Sequence, residues 1–176
     1  MEIKLEELKI LFSEDQLQTR IKELANEMNE FYNGEEVIAI CVLKGAVLFA
    51  VDLVKHLNMP LQMEFIRLSS YGSSTTTSGK VNAVDIKLPD LNDKNVLIIE
   101  DIVDTGLTAK FLMDFMHCNF HTKSIKFCSL LDKKITRKVD IEPDYYGFDV
   151  DDKFVVGYGL DYDGYFRNLK YIGYKE

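Results

Sequence analysis

The chain of 176 residues carries 29 acidic and 21 basic side chains, a formal charge of −8, with 47% hydrophobic residues. That length suits one domain with a sizeable core, and the acidic balance speaks against a broad electrostatic footprint for nucleic acid or anionic lipid. No run approaches membrane-spanning length, and Met1 to Lys9 alternates apolar with charged residues where a secretory signal would be apolar, so a cytoplasmic location is expected.

Ser13 and Gln16 form a capping-box start, and Leu17, Ile21, Leu24, Met28 and Phe31 keep one helical face until Asn33-Gly34 ends it. Val37 to Leu43 is an unbroken apolar run, which predicts a central strand; Lys44-Gly45 then turns the chain into a helix from Ala46 to Leu57. Gln62 to Leu68 reads as a further strand. The stretch from Ser69 to Lys80 is small, hydroxyl-rich and bracketed by glycines, a composition for a loop, read equally well as a hairpin tip. Val81 to Leu88 is the returning strand, and Pro89 to Asp93 the turn after it.

The most informative stretch is Val96 to Thr108. Val96 to Ile99 has no polar alternation, as expected of an interior strand of a parallel sheet. Glu100 and Asp101 then fall at its carboxyl end, where open α/β sheets collect ligands. Asp104-Thr105-Gly106-Leu107-Thr108 opens a helix whose apolar positions are Leu107, Phe111, Leu112, Phe115 and Met116; Gly106 relieves the turn, and the free amides of the helix start point at an anion. Carboxylates for Mg²⁺ or hydroxyls beside amides for a phosphate suit a phosphorylated ribose. The plainer alternative is an acidic pair that solvates a strand end and an aspartate that caps a helix.

Ser124 to Leu131 is the next buried strand, ended by Asp132-Lys133-Lys134. His117, Cys118 and His121 fall where the preceding helix should end, with no second ligand cluster, and read as structural or surface residues. Cys41 and Cys128 lie in apolar runs and read as reduced core residues. From Lys153 to Arg167 the tail mixes aromatics, glycines and carboxylates more richly than an edge strand needs. No Walker motif, dinucleotide fingerprint or internal repeat occurs.

The Val96 to Thr108 run resembles the phosphoribosyl-diphosphate (PRPP) signature of the type I phosphoribosyltransferases. With Leu43-Lys44-Gly45-Ala46, Ser70-Tyr71, Lys133 and the 153–167 tail in the family's order, the chain is similar to the hypoxanthine-guanine branch from Val37 to Arg167. The resemblance implies an α/β fold, a central parallel twisted sheet flanked by helices. Residues 1–176 would form a single domain with a hood contributed by the N-terminal segment and roughly 145–176.

It further implies transfer of the 5-phosphoribosyl group from PRPP to N9 of hypoxanthine or guanine, releasing pyrophosphate, with Mg²⁺ as cofactor. Asp104 would accept the proton from purine N7, Lys133 would bond the C6 oxygen, Phe154 would stack on the base and the Val155 backbone would read its edge. Lys44 and Gly45 amides and Arg167 would hold pyrophosphate. Thr105, Gly106, Leu107 and Thr108 would bind the 5′-phosphate, Glu100 and Asp101 the ribose and, with Asp161, the metal, while Ser70 and Tyr71 would belong to a closing lid. The peptide before Lys44 can be cis in this family. Leu107 and Ser69 stand where some relatives carry lysine, which leaves amides and hydroxyls to do more. A homodimer or homotetramer is expected.

Two other readings stay open from sequence. A PRPP-sensing regulator on the same fold would be expected to add a DNA-binding segment or basic face, and a phosphoacceptor receiver domain would place its acidic pair near the N-terminus.

Overall fold

The computed structural model describes residues 5–70, 81–85 and 87–175. The main sheet has six strands in the order β4-β3-β2-β5-β6-β7: β2 (Val37–Leu43), β3 (Leu61–Ser70), β4 (Val81–Asp85), β5 (Asn95–Val103), β6 (Ser124–Asp132) and β7 (Tyr145–Asp149). Five run parallel and β4 is antiparallel to β3.

Strand alternation divides the interior into two cores. Val37, Ala39, Cys41, Leu97 and Ile99 face helices α1 (Glu14–Tyr32) and α2 (Val47–Val54), whereas Ile38, Ile40, Val42, Val96 and Ile98 face α3 (Leu107–Asn119). Burial on both faces explains why β2 and β5 read as continuous apolar runs.

The capping box at Ser13 is present, and Asn33 ends α1 in the left-handed conformation (φ 47°). Phe31, expected on the inner face, is 48% exposed, with Lys126 Nζ 5.0 Å from its ring centre; Tyr32 takes the core position. Met28 is followed inward by the residue four positions on, because a 3.6-residue period drifts. The second helix is shorter than expected, stopping at Val54.

A smaller sheet, β1 (Lys9–Phe12), β9 (Ile172–Tyr174) and β8 (Val155–Val156), joins the two ends of the chain as the hood. Its expected boundary near 145 needs correction. Tyr145–Asp149 is instead the far edge strand of the main sheet, because its backbone pairs with β6 from Cys128↔Tyr145 to Asp132↔Asp149.

Tyr158 ties the hood to the helical layer. Its hydroxyl donates to Asp52 Oδ2 at 2.6 Å, and Gln18 Nε2 and Lys55 Nζ reach the same carboxylate, each at 2.9 Å. Burial pushes the Asp52 carboxyl up, but the bonds from Tyr158, Lys55 and Gln18 outweigh it and hold the group below its ordinary value. A carboxyl depressed on folding adds stability that is present above the ordinary carboxylate range and lost as pH falls through it. Tyr158→Phe is therefore expected to lower stability near neutral pH by about 1–2 kcal/mol, with the gap to wild type narrowing in acid. Denaturant titrations at both pH values check this; an equal gap at both would detach Asp52 from the effect.

Candidate active site

The sheet is laid down from β2 outward to β3 and then resumes at β5 on the other side of β2. Helices α2 and α3 consequently leave neighbouring strands toward opposite faces, and a crevice opens at the carboxyl ends of β2 and β5. The ladder between these strands stops at Cys41↔Ile99, while β5 stays paired with β6 as far as Val103↔Asp132. Glu100 and Asp101, expected at the carboxyl end of the strand, are followed by two further strand residues, and lie at the point where its bonds to β2 have ended.

The crevice holds a hollow of about 320 Å³ lined by Lys44, Gly45, Glu100, Asp101, Asp104, Thr105, Gly106, Thr108, Asp161 and Arg167, among others. On one side is the Lys44-Gly45 turn, whose Leu43-Lys44 peptide is cis. A Cβ at Gly45 would meet Asp101 Oδ2 at 1.6 Å, and one at Gly159 (φ +101°) would meet the Gly45 carbonyl oxygen at 2.0 Å. Only glycines allow the acidic strand, the turn and the hood to approach this closely.

Opposite stands the start of α3. Gly106 caps it at φ 80° with no side-chain cap bond, and Gly106, Thr108 and Ala109 line the hollow, so the positive end of the helix dipole lies against it. Leu107 does not line the hollow; its amide lies 3.4 Å from Thr105 Oγ1.

Burial pushes the Glu100 carboxyl well above its usual range, and the neighbouring Asp101 charge adds to this. Asp101 is also raised by burial, against the pull of the Ile102 amide at 2.8 Å and the Arg167 charge. Two carboxylates in this state are relieved by a proton or by a divalent cation. Among the described residues the pair forms no three-carboxylate group with Asp161, which lines the same hollow but has its Oδ1 2.5 Å from Arg167 Nη2 and its Oδ2 accepting from the Gly164 amide at 2.7 Å. Arg167 Nη1 also donates to the Gly159 carbonyl at 2.6 Å.

A second hollow, of about 180 Å³, adjoins the first and shares Asp101, Ile102, Asp104 and Asp161 with it. Lys133, Phe154 and Val155 complete its wall. Phe154 is 53% exposed and meets Tyr162 edge to face at 5.8 Å, which leaves a ring surface open. The Lys133 side chain is only 11% exposed, its ammonium 3.0 Å from Asp152 Oδ1 and 3.3 Å from the Lys153 carbonyl. Asp104 and Phe154, fifty residues apart in sequence, thus border one space. Of the expected lid, Ser70 ends β3, and Tyr71 lies outside the described residues.

Sequence reasoning passed over the turn after β6. The Thr136 hydroxyl donates to Asp104 Oδ1, and Arg137 reaches the Asp104 carbonyl at 3.2 Å, the Val103 carbonyl at 3.3 Å, the Ile141 carbonyl and the buried Asp132 carboxylate. Arg137 is an internal staple of the loop between β5 and α3. Its position four residues after a strand-end lysine was visible; its partners were not.

A cleft at the sheet's switch point, with a glycine-capped helix start facing a lysine-glycine turn beneath a terminal hood, defines a phosphoribosyltransferase of the type I fold. A family profile described as the phosphoribosyl transferase domain matches residues 10–163. The chain is 47% identical over 165 residues to the hypoxanthine-guanine phosphoribosyltransferase of Bacillus subtilis, covering 94% of this chain and 91% of that protein. A crystal structure of the Bacillus anthracis enzyme of that name superposes with a TM-score of 0.90 at 43% identity, covering 99% of this chain and all of the other. A hypoxanthine phosphoribosyltransferase from Trypanosoma cruzi, solved as a ternary substrates complex, gives 0.90 at 38% identity, covering 97% of each chain. The chain belongs to the hypoxanthine-guanine phosphoribosyltransferase family.

Proposed function

We propose that this chain salvages purines by transferring the 5-phosphoribosyl group of PRPP to N9 of hypoxanthine or guanine, giving IMP or GMP and pyrophosphate. The observation that carries the reading is the pair of adjoining hollows: one offers helix amides, a lysine turn and carboxylates to a sugar diphosphate, the other an open aromatic face and a lysine to a flat base. Asp104 lies on their shared border.

The donor set fits Mg²⁺, which takes one or two protein carboxylates and completes its shell with water and substrate oxygens. Glu100 and Asp101 would hold it, with Asp161 kept for a second locus; when bound, the ion neutralises charge on the diphosphate. The chain's own groups do the rest. Asp104 takes the proton from purine N7 while the N9 electron pair forms the bond to ribose C1′. The C1′–O bond breaks, and pyrophosphate departs with its electrons toward Lys44 and Arg167. Thr105, Gly106, Leu107 and Thr108 anchor the 5′-phosphate through the α3 amides and hydroxyls, and Ser70 and Tyr71 exclude water as part of a lid. Val155 reads the base through its backbone.

Lys133 supplies selectivity by donating to the C6 oxygen, which adenine lacks. Lys133→Ala is expected to reduce the preference for hypoxanthine over adenine by about tenfold or more in kcat/KM; an unchanged ratio removes Lys133 from base selection. The overall reading is tested by IMP formation from hypoxanthine and PRPP, with guanine, xanthine and adenine as competitors. PRPP binding without product would replace it with a sensing role. A cytoplasmic homodimer or homotetramer completes the proposal, and solution mass tests the assembly; among the described residues no helix is long and apolar enough to cross a membrane.

A further inference from the structure

We propose that Thr136 is a positioning residue for this reaction, its hydroxyl fixing one oxygen of the Asp104 carboxylate so that the other faces the base. The inference rests on Asp104 as the proton acceptor. Asp104 is exposed, on the short loop between the end of β5 and the glycine that caps α3, and no neighbour of its own element restrains its side chain. A carboxylate so placed would sample several rotamers.

The restraint arrives from another strand. Thr136 closes the single 3-10 turn Lys134–Thr136 that follows β6, and its Oγ1 donates to Asp104 Oδ1. The Lys133 carbonyl also lies 3.1 Å from that oxygen, but a hydroxyl has one proton, and an ionised carboxylate is the stronger acceptor. Among the described residues Asp104 Oδ2 has no hydrogen-bond donor, which assigns the two oxygens different tasks: Oδ1 is held and Oδ2 receives the proton.

The same turn fixes the backbone beneath. Arg137 Nε donates to the Asp104 carbonyl at 3.2 Å, and the Lys133 amide donates to the Val103 carbonyl at 2.9 Å. Lys133, one residue ahead of the turn, contributes the ammonium that borders the base hollow. One five-residue segment, 133–137, therefore sets the spacing between the group that would read the purine oxygen and the group that would take its proton. Misplacing a proton acceptor affects the chemical step more than substrate binding.

The test is a cycle of Thr136→Val, Thr136→Ser, Asp104→Asn and the Val/Asn double variant, each assayed for kcat and for both KM values. Thr136→Val is expected to lower kcat about tenfold with little change in KM, and Thr136→Ser to restore most of it. In the Asp104→Asn background the valine should cost nothing further, since the group it acts through no longer accepts a proton. Wild-type kcat in Thr136→Val, losses that multiply in the double variant, or a serine variant as slow as valine would overturn the inference. If valine lowers the melting temperature, Thr136→Ala is read by the same criteria. Full turnover in Asp104→Asn would instead remove Asp104 from its role, a failure distinguishable from that of Thr136.

Discussion

Asp104→Asn is expected to cut turnover about 100-fold or more while PRPP affinity stays close to wild type, since a positioned general base contributes on the order of 10²–10⁴. The asparagine keeps the shape of the side chain and can still accept from Thr136 through its amide oxygen, so the loop and the α3 start should be undisturbed. What it loses is a site that can take a proton. Because Asp104 stands on the border between the two hollows, the substitution should leave the sugar-diphosphate side intact and affect the step in which base and ribose join. Equilibrium binding of PRPP measured beside single-turnover product formation separates the two effects; unchanged turnover would exclude Asp104 as the proton acceptor.

Arg137→Met should unfold the protein more readily than any other substitution considered, by about 3–5 kcal/mol, the usual cost of removing one partner of a buried ion pair. The Asp132 carboxylate is 1% exposed and bonded to the guanidinium; the nearest other cation, Lys134 Nζ, is 3.6 Å from its second oxygen. Methionine fills similar volume but strands that charge and frees the carbonyls of Val103, Asp104 and Ile141. Converting Asp132 to Asn in the same chain removes the stranded charge and should recover part of the loss. Denaturant midpoints of the single and double variants decide this: a single variant as stable as wild type would mean that the staple contributes little.

Much of the fold could be read along the chain because it depends on local patterns. The capping box at Ser13, the left-handed stop at Asn33 and the unbroken apolar runs of β2 and β5 each have a short-range signature that the structure repeats. The parts that escaped depend on partners distant in sequence. β5 continues through Glu100 and Asp101 because β6 goes on bonding it, and Tyr145–Asp149 joins the main sheet because β6 offers a free edge. Neither is encoded in the alternation of those residues. The same holds at the site: the acidic run and the tail aromatics stand out by composition, whereas Thr136 and Arg137 look like ordinary surface residues until the turn after β6 folds under the loop after β5. Asp161 likewise stands out in the tail, whereas its ion pair with Arg167 depends on the hood's path and has no local signature.

The bare main chain at Gly45 and Gly159 has a consequence for altering this protein. At Gly159 the obstacle is the Gly45 carbonyl, main chain that no substitution can trim, whereas at Gly45 it is the Asp101 carboxylate, a side chain the proposed reaction uses, so neither position can be diversified by compensation at the other. A mutational library spanning both should tolerate almost nothing there, and at Gly164 (φ +84°), where the surroundings are open, the left-handed backbone rather than space should favour glycine. Grafting the tail segment from a relative should succeed or fail chiefly on whether the donor brings glycine to that single point of contact.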